Sequence, residues 1–152
     1  MEQQQTQPKE GIIGALFDGK GKDEGLSDGE FVWFFLMSIA AANESTRTVT
    51  AQGMRLLREN PDQLQYLMDN PDKIPGACEE MLRYNTAFTL MRRQCVEDTE
   101  VAGHLIKKGD KVIMHYHTVN HDETIFGEDA MQFDVRRAER MPDLYNQHRA
   151  FG

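Results

Sequence analysis

The apolar positions of this chain change period twice, and the changes divide it into three stretches. From Ser27 onward they recur at helical spacing, and nothing breaks the run until Asn60-Pro61. Ser27 and Glu30 form a Ser-x-x-Glu capping box that opens this helix, which is predicted to run for roughly thirty residues, well beyond the usual length. Its first half, Phe31 to Ala42, is 12 residues of mostly apolar sequence, too short to cross a bilayer as a helix. The run then passes through alanines into Asn43-Glu44-Ser45-Thr46 with no glycine or proline between.

Two Asn-Pro-Asp signals follow, at residues 60–62 and 70–72, each offering a cap and a proline at the first helical position. They predict short helices over Pro61–Met68 and about Pro75–Tyr84. From Thr89 the period shortens toward that of strands. "TLMRRQCVED", "EVAGHLI" and "DKVIMHY" are expected as strands, separated by turns at Glu97-Asp98 and Lys108-Gly109-Asp110. Residues from Asn120 to the end are loop-rich, and there is no internal repeat. Before the long helix, residues 1–10 are expected as a disordered polar tail, Ile12–Phe17 as a short helix and Asp18–Gly25 as a loop. Helices first, then a small antiparallel sheet, then irregular chain give a mainly α pattern with a minor β part, an α+β class, within one domain over residues 11–152.

Composition narrows the function. A chain of 152 residues can bury a core, and 39% hydrophobic with 28% charged residues is ordinary for a soluble protein. The net charge of −8 and the lack of a basic stripe exclude nucleic acid as a partner. Cys78 and Cys95 form no CxxC and are expected as reduced, buried thiols. The polar N-terminus has no apolar signal core, so a cytoplasmic protein without a membrane anchor is expected.

Three groups of residues carry candidate chemistry. On the long helix, Ser38, Ala41, Ala42 and Ser45 share one face, a small-residue stripe that lets another body approach the backbone. A crossing helix would account for the stripe. It would not account for Glu44, because a carboxylate in mid-helix is unfavourable unless paired or hydrated. An acid beside an alcohol, facing a groove, can pass protons into a dry pocket. The second group is Glu80-x-x-Arg83, spaced for an i,i+3 salt bridge, which could equally be a solvated surface pair. The third is His115, His117 and His121. On a strand, His115 and His117 would share a face suited to a metal; exposed histidines are the plainer expectation, and no metal site is assigned.

"AANEST" resembles the oxygen-binding segment of the central helix in cytochrome P450s, whose pattern is (Ala/Gly)-Gly-x-(Asp/Glu)-(Thr/Ser). Ala41 and Ala42 match the small pair flanking the haem, with Ala42 where glycine is usual. Glu44 and Ser45 match the acid–alcohol pair, with serine in place of the commoner threonine. Glu80 and Arg83 match the family's ExxR, following "NPDKIPGAC" at the spacing of bacterial members. "TLMRRQCVEDTEVAGHLIKKGDKVIMHYHTVNHDETIF" resembles the first sheet and the helix after it, Asn120-x-Asp122-Glu123 matching the common "NRDE". "FGEDAMQFDVRR" resembles the meander, with Gln132 before Phe133 where arginine is common. Either Arg136 or Arg137 must then complete the ExxR triad, or the triad is incomplete. The resemblance covers about residues 11 to 152.

That resemblance implies the P450 fold in part: the I, J and K helices, the first sheet and the meander. It implies haem b (heme b) as cofactor and a haem-thiolate monooxygenase that inserts one oxygen atom of O2 into a C–H bond of a hydrophobic substrate of lipid, steroid or terpenoid class. A ferredoxin with its reductase would supply electrons. Glu44 and Ser45 would relay protons, Arg93 rather than Arg92 would bind a haem propionate, and Ala87, Phe88, Thr89 and Leu90 would face the substrate. His148 could approach a propionate. The family's ligand loop opens with Phe-Gly and carries the axial cysteine a few residues later, whereas this sequence stops at Phe151-Gly152, and neither Cys78 nor Cys95 replaces that ligand by register. An internal piece of the enzyme, inactive alone and exposing Trp33, Phe34, Phe35 and Leu36, is therefore expected. The alternative is a non-enzymatic truncated member acting as a helical interaction module, which a reading frame that stops after Gly152 would favour.

Overall fold

The computed structural model describes residues 26–151. The tail, the Ile12–Phe17 helix and the Asp18–Gly25 loop expected from sequence lie outside the described residues. Helix α1 spans Asp28–Glu59. It is followed by α2 (Pro61–Asp69), a 3-10 turn (Pro71–Lys73) and α3 (Ile74–Tyr84). Strands β1 (Leu90–Gln94), β2 (Thr99–Val101), β3 (His104–Ile106) and β4 (Lys111–His115) come next. Four single-turn helices complete the described chain: α4 (Tyr116–Val119), α5 (Glu123–Phe126), α6 (Arg137–Arg140) and α7 (Leu144–Gln147). The mainly helical pattern with minor antiparallel β structure is as expected.

The chain divides between Glu44 and Ser45 into two compact units. In the first, the capping box forms as the sequence dictates. Ser27 N donates to Glu30 Oε2 at 2.9 Å, and Glu30 N donates back to Ser27 Oγ at 3.3 Å. The Ser27 hydrogen bonds hold the Glu30 carboxyl below its ordinary pKa. Phe31 stacks on Phe35 with ring centroids 6.4 Å apart. Trp33, Phe34, Leu36, Met37 and Ile39 are exposed, and Phe35 is half-buried.

In the second unit, the end of α1 packs on α2, α3 and the later loops. Leu56, Leu57, Leu67, Ala77, Phe133 and Val135 form its main core, and Phe126, Ala130 and Leu144 a smaller one. Two glycines set the spacing on α3. A Cβ on Gly76 would lie 2.7 Å from the Cβ of Ala138, so α3 and α6 approach as closely as glycine allows, and one on Gly53 would meet Met81 Sδ at 2.5 Å. The Gln63 side chain ties the irregular segment to α2. Its Nε2 donates to Phe133 O and its Oε1 accepts from Val135 N, both at 2.9 Å, much as a neighbouring strand would.

The β region differs from expectation in detail. "EVAGHLI" is not one strand but the tight hairpin β2–β3, with Val101 opposite His104 and a two-residue turn at Ala102-Gly103. Both turn residues have positive φ, 50° and 79°, the geometry whose twist suits paired strands and which Gly103 makes easy. β1 pairs with β4, from Leu90 opposite His115 to Gln94 opposite Lys111, so the strands form two separate two-stranded ladders. The chain turns helical at Tyr116, so His115 and His117 do not share a strand face. The thiols also depart from expectation: Cys78 is exposed and Cys95 half-buried, because α3 turns Cys78 away from the Ala77 core face.

Candidate functional site

Helix α3 carries Glu80 and Arg83 one turn apart on its inner face, and the structure buries both completely. They are not a solvated surface pair. Arg83 Nε donates to Glu80 Oε2 at 2.7 Å and Nη2 to Glu80 Oε1 at 2.8 Å, a two-pronged contact that fits the planar guanidinium. Arg137 completes the triad, with Nε 3.1 Å from Glu80 Oε2, and it is also fully buried. Of the two candidates left open by sequence, Arg136 instead lies over the Tyr66 ring at 4.1 Å.

The remaining donors of both forks go to backbone carbonyls, and Arg137 Nη1 also donates to Asp129 Oδ1 at 3.1 Å. Arg83 Nη1 donates to Asn120 O at 2.6 Å and to Ala130 O at 2.8 Å; Nη2 reaches Gln132 O at 3.1 Å. Arg137 donates to Phe126 O at 3.0 Å, Asp129 O at 2.9 Å and Gln132 O at 3.1 Å. Asp129 and Asp134 link Arg140 to the cluster. Burial opposes ionisation of Asp129, but its hydrogen bond to Arg137 and the charges of Arg137 and Arg140 outweigh it and hold the carboxyl below its ordinary range. The cluster is structural chemistry: it fastens a segment with little regular structure of its own.

Beside it lies an apolar groove of about 610 Å3. Its walls come from the second half of α1 (Ser45, Thr46, Val49), from α2 and α3, from Ala87 and Phe88 after α3, and from Ala150 and Phe151. Size and lining suit a largely hydrophobic small molecule or a flat cofactor. The groove thus gathers Ser45, Ala87 and Phe88, which lie far apart in sequence. Thr89 and Leu90 are exposed and do not line it. Cys78 does line it, from α3.

The other expected site residues are placed as follows. Ala41, Ala42 and Glu44 are exposed on α1 within the first unit, and Ser45 is half-buried at the start of the second. Arg93 is exposed on β1, with Nη1 donating to Arg92 O at 3.2 Å, which leaves further donors on its fork. His148 is buried, and both its ring nitrogens are engaged: Nε2 lies 2.9 Å from Glu79 Oε2, and Nδ1 accepts from Ala150 N at 3.3 Å. Cys95 donates its thiol to Glu97 O at 2.8 Å. Among the described residues no group of three metal-ligating side chains could hold a metal ion. His121 is buried between Tyr84 and His117, with ring centroids at 5.2 and 4.3 Å, and its Nδ1 donates to His117 O at 2.8 Å. Burial pushes its pKa down.

Sequence reasoning missed Glu79, Asn120 and Gln63 as partners. Glu79 reads as an ordinary surface acid on α3, and its contact with His148 spans 69 positions. Asn120 belonged to a recognised motif, but nothing in that motif names Arg149 N, which donates to Asn120 Oδ1 at 2.7 Å.

The family model for Cytochrome P450 matches residues 74–141, from α3 through the buried cluster. The chain is 34% identical to a putative cytochrome P450, YjiB, of Bacillus subtilis over 152 residues, all of this chain and 37% of that protein. It is 36% identical to a steroid C26-monooxygenase of Mycolicibacterium smegmatis, covering 99% of this chain and 33% of that one. The chain therefore spans about a third of the length of the curated relatives it matches. Among solved structures, CYP109E1 from Bacillus megaterium in complex with testosterone superimposes with a TM-score of 0.85 at 30% identity, covering 99% of this chain and 40% of that one. Motifs, buried triad and fold agree with these matches, and the chain belongs to the cytochrome P450 family.

Proposed function

We propose that this chain forms part of the haem- and substrate-binding region of a bacterial haem-thiolate monooxygenase that inserts one oxygen atom of O2 into a C–H bond of a hydrophobic substrate. The observation that carries this reading is the convergence of Ser45, Ala87, Phe88 and Phe151 on one apolar groove beside the buried Glu80–Arg83–Arg137 triad. The residues present fit haem. The groove offers apolar walls for a flat macrocycle, and Arg93 offers a guanidinium with donors to spare for a propionate.

Haem, when bound, supplies the iron that activates dioxygen. This chain's residues do the rest of what is proposed here. Ala41 and Ala42 keep the helix face small. Glu44, exposed, takes protons from solvent, and Ser45, half-buried in the groove wall, passes them inward. Ala87 and Phe88 present apolar surface to the substrate, for which a lipid, steroid or terpenoid class is supported by the steroid relatives named above. A ferredoxin with its reductase is the proposed electron donor. Neither Cys78 nor Cys95 serves as axial thiolate; without that ligand, oxygen–oxygen cleavage is not driven.

Two measurements test this. In a complete enzyme carrying this segment, Ser45→Ala should lower coupled product formation about 100-fold, the usual scale for a lost proton-transfer group, and divert electrons to peroxide. Unchanged coupling would remove Ser45 from the relay. The 152-residue chain with added haem should show no thiolate-type band in its reduced carbon-monoxide difference spectrum and no monooxygenase activity. A thiolate band that disappears in Cys78→Ala would overturn the ligand assignment. A second reading, an interaction module without catalysis, draws on the exposed Trp33, Phe34, Leu36 and Met37. It requires specific capture of a partner through those residues with no haem bound.

A further inference from the structure

His148 attracts attention as a residue that could reach a haem propionate, but its surroundings give it another task. Its side chain is buried, and Nε2 faces the Glu79 carboxylate at 2.9 Å, to which it can donate. Nδ1 accepts the Ala150 N–H at 3.3 Å, which fixes the ring with its proton on Nε2. The next residue is held from the opposite direction: Arg149 N donates 2.7 Å to Oδ1 of Asn120, itself fully buried. The carbonyl of that same Asn120 accepts from Arg83 Nη1 at 2.6 Å. Ala150 is buried, Phe151 is exposed, and both line the groove.

We propose that His148 is a positioning residue, and that His148–Glu79 and Asn120–Arg149 form a two-jawed clamp fixing residues 148–151 to α3 and to the Arg83 cluster. The clamp decides where Phe151 stands at the groove's rim. One jaw starts from Glu79, immediately before Glu80 on α3, and the other from an asparagine whose backbone is bonded to Arg83. The buried triad is thereby connected to the groove through these hydrogen bonds and the short backbone steps between them. Asn120 Nδ2 is the one buried side-chain nitrogen or oxygen, among the described residues, without a hydrogen-bond partner, so this asparagine is kept inside for what its oxygens hold.

The proposal rests on the P450 reading only in taking haem as what the rim faces, so its test has one arm without haem. Amide hydrogen exchange of the 152-residue chain should show Arg149 and Ala150 protected. His148→Ala and Glu79→Ala should each speed exchange at Ala150 about tenfold, the scale of one charge-assisted hydrogen bond, with the double variant no faster than either single. Glu79→Gln, which keeps an acceptor, should restore protection. Asn120→Ala should expose Arg149 more than Ala150. Amides within α3 should keep their protection in His148→Ala. Equal loss across α3, or no change at Ala150, would overturn the clamp.

The second arm is an absorbance titration with haem. His148→Ala and Glu79→Ala should weaken haem binding by the same factor. Weakening in His148→Ala but not in Glu79→Ala would mean that His148 touches haem directly, against the proposal. If no variant, nor the unaltered chain, binds haem while the exchange pattern stands, the clamp is upheld and the haem reading of the groove is what fails.

Discussion

The triad and the groove invert the usual arrangement of a soluble protein. The ion-paired side chains of Glu80, Arg83 and Arg137 stand at 0% exposure, whereas Met54, Met68 and Phe151, lining the groove, are 60%, 65% and 77% exposed. The charged region is explained by what surrounds it. After Asn120 the described residues form only single-turn helices, and their buried carbonyls lack a ladder to join. Two guanidinium forks satisfy the carbonyls of Asn120, Phe126, Asp129, Ala130 and Gln132, and Glu80 together with Asp129 balances the forks. Charge here replaces secondary structure. Among the described residues the apolar region has no such internal partner, and an exposed apolar surface of this kind marks a place where ligand or protein is met.

The largest break should come from Glu80→Gln, which leaves buried Arg83 without its anion and Arg137 with Asp129 alone. A loss of roughly 3–5 kcal/mol is expected in urea unfolding followed by circular dichroism, enough to unfold a marginal chain. A loss below about 1 kcal/mol would mean the cluster is not needed. Next, Arg137→Lys should cost about 2–3 kcal/mol because a single ammonium cannot reach the carbonyls the fork reaches. Arg136→Lys, which loses only its position over Tyr66, should cost about 0.5–1 kcal/mol. Equal effects would contradict the choice of Arg137 as third member of the triad.

Gly76→Ala sharpens the same contrast from the packing side. The added methyl meets Ala138 Cβ, which cannot swing aside, so α3 and α6 must separate at a cost of about 1–3 kcal/mol, read from the thermal midpoint. A pH scan gives a smaller signal. His121 is neutral in the fold because burial lowers its pKa, so protons favour the unfolded chain. Its contribution is fully present above the ordinary histidine pKa of about 6.5 and is lost as pH falls through the folded value. The midpoint should therefore drop from about pH 7 toward pH 5, and His121→Gln should flatten that drop. Smallest of all, Trp33→Glu at an exposed position should change stability by less than about 0.5 kcal/mol while reducing self-association in sizing chromatography.

Local signals were the ones legible in sequence. Ser27 and Glu30 announce the start of α1, the Asn-Pro-Asp pairs bracket α2 and announce the 3-10 turn leading into α3, and Lys108-Gly109-Asp110 marks a turn, because each rests on neighbours a few residues apart. The ExxR spacing was also legible, but not its burial, which depends on carbonyls 37 to 49 positions away. The β2–β3 hairpin was missed because Ala102 occupies a left-handed turn position normally signalled by glycine, asparagine or aspartate. The site was legible only as a family pattern. Nothing local says that Ser45, Ala87 and Phe151 share a groove, or that His148 turns to Glu79.

The groove is best tested by paramagnetic broadening of amide NMR signals in the 152-residue chain on adding haem. Selective loss of the Ser45, Ala87, Phe88 and Phe151 signals, with those of Phe126 to Ala130 retained, is the expected result. Broadening centred elsewhere, for instance on the exposed histidines His104 and His115, or none at all, would contradict the assignment of this groove as the haem face.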